Sequence, residues 1–332
     1  MALSRRTLLA SGALLPVAAL PTFAEAQDVE NSPYGLEIST DSPFQKKRTQ
    51  VLESEIAYVD EGDGAPVVFL HGNPTSSFLW RNIIPFVTAA GYRAIAPDLI
   101  GMGDSGKPDI GYSFADHAAY LDAFLAELDL NPAVLVVHDW GSALGMRYAR
   151  LNPERVAAMA YMEAIVGPAM PVASFDDMPK ELADFFQLMR TDQGAELVLG
   201  ENFFVEKVLP NLGVLREMHP TEMDAYRAPF PTRKSRLPTL VWPRQIPIEG
   251  TPEDVVAEVL SNSAWLTSSE IPKLMFYASP GSLAPAPVVA WHSENVPNIE
   301  TRFLGAGLHF LQEEHPEQIG QGITDWLRRL NG

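Results

Sequence analysis

The chain has 332 residues, a formal net charge of −18 and no cysteine. Its acidity disfavours nucleic acid and anionic membranes as partners. The absence of thiols excludes disulfides, thiolate metal sites and a cysteine nucleophile. With 46% hydrophobic residues, a chain of this length can bury the core of one α/β domain carrying an insertion.

In chain order, the first element is a candidate targeting segment. Ser4-Arg5-Arg6-Thr7 is followed by a mildly apolar run to about Leu20, and Ala24-Glu25-Ala26 is a small-x-small cleavage site. Residues 1–26 resemble a bacterial twin-arginine signal, which implies a periplasmic mature protein. No later stretch is long and apolar enough to span a bilayer, so the mature form is expected to hold no membrane segment. Residues 27–55 read as a lead-in with one early strand. Short apolar strands are predicted at 66–70 and 93–97, then a helix over 114–128 with Ser113 as its cap. Residues 133–137 predict a buried strand, and 142–151 a helix. Further strands are expected at 156–162, 273–278 and 299–303, with a closing helix over 316–330. Between 166 and 248 the strand signal disappears, and helical patterns at 178–189 and 195–209 take over. The pattern predicts a mainly parallel sheet with helices on both faces, formed by 27–165 and 249–332, with a helical cap inserted at 166–248.

Asp139 stands on the predicted strand-to-helix turn Val136-Val137-His138-Asp139-Trp140-Gly141. In an α/β-hydrolase fold that turn carries the nucleophile, usually a serine. An aspartate is already ionised at neutral pH. It can displace a leaving group from saturated carbon and form an alkyl ester. His71-Gly72-Asn73-Pro74 follows the 66–70 strand. That turn and the residue after the nucleophile supply the oxyanion-hole N–H groups, here Asn73 and Trp140. Both also carry side-chain N–H donors, suited to a leaving group that departs as an anion, such as a halide. His309 falls after the last strand, where this fold presents its base. The acid that orients it has two usual places. The loop Ser279-Pro280-Gly281-Ser282-Leu283-Ala284-Pro285 holds no carboxylate. Glu163, at the end of the 156–162 strand, is therefore the acid by position and elimination.

These stretches resemble the haloalkane dehalogenases of the α/β-hydrolase superfamily. The likeness rests on HGNPTSSFLWRNIIP from His71, APDLIGMGDSGKP from Ala96, VVHDWGSALG from Val136, YME ending at Glu163 and GAGLHFLQE from Gly305. It implies Asp139 as nucleophile, His309 as base, Glu163 as acid, and Asn73 with Trp140 as halide ligands. It implies hydrolysis of a small halogenated aliphatic substrate to alcohol, halide and proton, without cofactor or metal. Phe186, Phe204 and Leu283 are the expected apolar pocket residues.

Three other readings compete. An epoxide hydrolase shares the Asp nucleophile and His base but needs cap tyrosines to protonate an alkoxide, and residues 166–248 contain only Tyr226. A haloacetate dehalogenase would want an arginine where Trp140 stands. A non-catalytic hydrolase-fold binding protein would have no need of the full set of reactive side chains.

Overall fold

The computed structural model describes residues 38–331 except Asn131. The proposed signal segment, residues 1–26, lies outside the described residues. Eight strands form one sheet: β1 (Lys47–Val51), β2 (Ser54–Glu61), β3 (Pro66–Leu70), β4 (Arg93–Pro97), β5 (Ala133–Asp139), β6 (Val156–Ala164), β7 (Lys273–Pro280) and β8 (Ile299–Gly307). Their order is β1-β2-β4-β3-β5-β6-β7-β8. β2 runs antiparallel to β1 and β4, and all other neighbours are parallel. All seven residues of β5 are buried, as a central strand covered on both faces requires.

Helices cover the sheet because their apolar residues fall on one face. In the last helix, Pro316–Asn331, Ile319, Ile323, Trp326 and Leu327 are buried, the spacing of an amphipathic helix. The helix Phe114–Glu127 starts at a full capping box, Ser113 and Asp116 each bonding the other's backbone N–H, which satisfies two otherwise orphaned groups.

Several sequence-based boundaries shift. The single early strand is a hairpin of β1 and β2, turning at Leu52 with φ 51°. The helix expected over 195–209 is broken. Asp192–Glu201 ends at Asn202 in the left-handed region, and a wide turn Phe204–Val208 leads into Leu209–Leu212. Asparagine tolerates that conformation where other residues resist it. Between β6 and β7 the chain also forms helices Lys180–Met189, Pro220–Arg227 and Leu237–Gln245, before Glu253–Ser268 returns to the core.

In sheet order, β3 stands between β4 and β5, so the chain's winding direction reverses there. In open α/β sheets that reversal leaves a crevice at the carboxyl ends of the strands, where ligands bind.

Candidate active site

Asp139 ends β5 at the crevice and opens the helix Trp140–Leu151. Its backbone has φ 49° and ψ −130°, a strained conformation that pushes the side chain off the sheet. Neighbours must be small for this turn to close. A Cβ at Gly141 would come within 2.3 Å of the Leu70 carbonyl oxygen, and one at Gly72 within 1.9 Å of Asp139 Oδ1. Ser142 Oγ donates to the Asp139 carbonyl and accepts from Ile165 N at 2.9 Å. It thus ties the turn to the chain just beyond β6.

The two oxygens of Asp139 face different groups. Oδ1 accepts the Asn73 backbone N–H at 2.8 Å. Oδ2 lies 3.4 Å from His309 Nε2. Burial pushes the Asp139 carboxyl up, but His309, His138 and the Trp140 backbone N–H outweigh it and hold the group below the ordinary carboxylate value. The carboxylate is therefore ionised and oriented, with one oxygen anchored.

His309 sits in a short turn between β8 and the helix Leu311–Glu314. Its Nδ1 lies 3.2 Å from Glu163 Oε2. Burial pulls the imidazole down, but hydrogen bonds and negative charge from Asp139 and Glu163 hold it up at about 9. His138 is fully buried and points its Nε2 to the His309 carbonyl oxygen at 2.9 Å. His71 bonds backbone groups of Gly72 and Leu99. Both brace the turns and reach no reacting atom.

Glu163 is completely buried and takes φ 45°. The β5–β6 pairing skips it, since His138 faces Met162 and Asp139 faces Ala164. This bulge removes one residue from the ladder and re-aims its side chain. The carboxylate then meets the loop after β7. Ser282 N and Leu283 N donate to Oε2 at 3.0 and 2.6 Å, and Ala284 N to Oε1 at 3.4 Å. The loop with no carboxylate of its own supplies the backbone donors that hold this one. Residue types carry no signal of that kind, so only the structure reveals it.

Trp140 is buried, its ring stacked on Trp242 with centroids 4.6 Å apart. Trp242 in turn stacks on His117 at 4.0 Å. Sequence reasoning missed Trp242, which lies in a Pro-bounded helix with no motif around it. Asn73 is 9% exposed, and its Oδ1 has no partner among the described residues. Of the three expected pocket residues, Leu283 joins the site through its backbone. Phe186 packs partly buried against the main core. Phe204 lies in a separate apolar cluster with Met189, Val198 and Leu240. Tyr226, the one candidate alkoxide acid, is buried and donates its hydroxyl to Glu313. Among the described residues no group of three or more acidic or histidine side chains is disposed to hold a metal ion.

A model of the α/β hydrolase fold matches residues 65–316. A haloalkane dehalogenase of Sphingobium indicum is 50% identical over 295 residues, 87% of this chain and 97% of that protein. One from Mesorhizobium japonicum is 48% identical, covering 85% of this chain and 91% of its own. The crystal structure of a haloalkane dehalogenase from Bradyrhizobium elkani superposes with a TM-score of 0.83 at 43% identity, over 87% of this chain and 99% of that one. An Asp-containing turn at the sheet's crevice, a histidine beside it and these likenesses lead to one conclusion: the chain belongs to the haloalkane dehalogenases of the α/β-hydrolase fold.

Proposed function

We propose that this enzyme, a hydrolase of carbon–halogen bonds, works through Asp139, His309 and Glu163, with Asn73 and Trp140 holding the halide. The observation that carries this reading is the division of labour on Asp139. Oδ1 is anchored by the Asn73 N–H at 2.8 Å, which leaves Oδ2, facing His309 Nε2 at 3.4 Å, as the attacking oxygen.

In the first step Oδ2 displaces the halide from carbon, forming an alkyl ester. The side-chain N–H groups of Asn73 and Trp140 stabilise the departing anion. Oδ1 becomes the ester carbonyl oxygen, already seated on the Asn73 backbone N–H, one of the donors that will stabilise the tetrahedral oxyanion. At neutral pH the resting imidazole is protonated, as its value of about 9 requires. Forming the ester removes the Asp139 charge, one of the two that hold this proton. His309 then releases it and acts as base toward water. Water attacks the ester carbonyl. Collapse expels the alcohol carrying Oδ2 and regenerates the carboxylate, so one alcohol, one halide and one proton leave per turnover.

The burial of Tyr226 and its bond to Glu313 leave it unavailable as an alkoxide acid, which disfavours epoxide opening. We assign residues 166–248 as the cap over this site, with Phe186, Phe204 and Leu283 as candidates for its apolar lining. We assign residues 1–26 as an export signal that delivers the protein to the periplasm. Lysine at both Arg5 and Arg6 should leave the protein unprocessed in the cytoplasm, and unchanged periplasmic recovery would refute the assignment.

The mechanism is tested with His309→Phe. Asp139 needs no proton removed before it attacks, so this variant should release about one halide per enzyme from 1-bromobutane and then stall. The stalled protein should carry the butyl mass on the peptide containing Asp139. In the wild type, one turnover in heavy-oxygen water should label Asp139 and leave the first alcohol unlabelled. Absence of the burst and adduct, or labelled first alcohol, would mean that water attacks the substrate directly.

A further inference from the structure

The helical insertion takes part in holding the turn that carries His309. Three consecutive backbone N–H groups, those of Leu308, His309 and Phe310, need acceptors. His309 N and Phe310 N both donate to the Gly213 carbonyl oxygen, at 3.0 and 2.9 Å. Leu308 N donates to Glu314 Oε2 at 3.0 Å. The other oxygen of Glu314 accepts Leu215 N at 2.6 Å. Gly213 and Leu215 belong to the segment between β6 and β7 assigned above as cap. One carboxylate therefore bridges a cap segment and the base-bearing turn, beside a cap carbonyl that takes the turn's two remaining donors.

The same segment is fastened a second time. Arg216 donates to the Glu313 carbonyl through Nε at 2.5 Å and to Glu313 Oε2 through Nη2 at 2.8 Å. Arg81, from the turn after β3, donates to Glu313 and to Glu222 of the insertion, and all three side chains are about 1% exposed or less. This neutral quartet of two arginines and two glutamates fixes where the segment lies. Glu314 then transmits that position to His309. Close packing leaves little slack. A Cβ at Gly213 would lie 2.3 Å from the Phe310 ring, and one at Gly307 would lie 2.8 Å from Glu314 Oε2.

We propose that Glu314 is a positioning residue that couples seating of the cap to the base, so that hydrolysis of the alkyl ester, and not its formation, depends on it. The reasoning rests on the two-step reading above. Alkylation uses Asp139, which is oriented by β5 and Asn73 N, and none of the hydrogen bonds given above for Gly213, Leu215 and Arg216 goes to either. Hydrolysis uses His309 Nε2, whose placement follows the turn. A base displaced by a fraction of an ångström loses its aim at water, while the nucleophile keeps its aim at carbon.

Glu314→Gln in the full chain tests this. Glutamine keeps the length but has one acceptor, so its amide N–H₂ must confront one of the two backbone N–H groups. Burial pushes the Glu314 carboxyl up to about 7 against Leu215 N, Leu308 N and Arg216, with Glu163 adding to the rise. The assay is therefore run at pH 8.5, where the wild-type group is ionised. Single-turnover and steady-state halide release from 1-bromobutane are followed together with the mass of the Asp139 peptide. The expected burst rate is within about twofold of wild type. Steady-state turnover should fall about tenfold, the scale of one lost charge-assisted hydrogen bond, and alkylated enzyme should accumulate. Gly213→Ala, which pushes the turn through Phe310 from the cap side, should give the same split. Equal loss of burst and steady state in both variants, or a steady-state defect without adduct, would overturn the proposal. Run in parallel, His309→Phe separates the two levels. If it accumulates adduct and Glu314→Gln does not, only the coupling is wrong. If it accumulates none, the two-step reading itself fails.

Discussion

The Glu163 carboxylate accepts three backbone N–H groups, and the oxygen that takes two of them, Oε2, also faces the His309 imidazole. This makes glutamine a sharper probe there than alanine. In Glu163→Gln the amide oxygen will turn to the loop, because a facing N–H₂ would clash with Ser282 N and Leu283 N. That oxygen occupies the Oε2 place and still faces His309 Nδ1, but it carries no negative charge. The imidazolium formed when His309 takes a proton from water then lacks its counter-charge. Loss of the analogous acid function costs up to ~10⁴-fold in serine triads, and ester hydrolysis should fall by a similar order here. Alkylation should persist, since Asp139 needs no base. Rapid-quench measurement of the halide burst beside steady-state turnover checks this. Near-normal turnover would mean that some other carboxylate orients His309.

At the scale of elements, strands that are apolar on both faces announced themselves, and so did the residues at their ends. Asp139, Glu163 and His309 were locatable because an α/β fold puts chemistry at the ends of β5, β6 and β8. What stayed hidden was backbone. The donors at 282–284 and the Gly213 carbonyl leave no mark on residue type, although they hold Glu163 and the turn of His309. Local geometry misled in the same way. β6 was expected to stop at Met162 because Glu163 breaks its apolar run, yet the bulge at Glu163 carries the strand on to Ala164. Glycine was the readable trace of such constraints, and Gly72 is the informative case. The turn after β3 passes so close to Asp139 that a methyl group at Gly72 would overlap Oδ1. Gly72→Ala should leave the sheet intact, because the turn lies beyond the end of β3 at Leu70, but displace the carboxylate from Asn73 N. We expect the halide burst to slow by about 10²-fold, the order that small misplacements of reacting groups cost. Unfolding temperature should change little. A burst rate equal to wild type would show that the turn can yield without moving Asp139.

For the whole molecule, the histidines set opposing demands on pH. Burial holds His71 and His292 down at about 4 and His117 and His138 at about 3. Unfolding releases them to the ordinary value near 6.5. The stability they contribute is therefore complete above 6.5 and is lost as pH falls through their folded values. His309 has the opposite sign. Its folded value of about 9 gives stability that is complete below 6.5 and disappears as pH rises through 9. The histidine contribution to thermal stability should accordingly peak near about pH 6.5 and decline on both sides, with the acid limb steeper because four imidazoles act there against one, offset in part by Glu314, whose carboxyl is held up at about 7. His117 isolates one of the four. It is 1% exposed, stacks on Trp242, and neither ring nitrogen has a partner among the described residues. Phenylalanine would keep the stack and remove two polar atoms buried without compensation, a change that costs little or stabilises. His117→Phe should match or exceed wild-type stability at pH 7 and show a shallower acid limb. His309→Phe should flatten the alkaline limb, and it also frees Asp139 from the charge that holds its carboxyl down. Unfolding temperatures taken from pH 4 to 9 decide between the two assignments. An acid limb unchanged in His117→Phe would mean that this imidazole is protonated in the folded protein, with a counter-charge that holds it there.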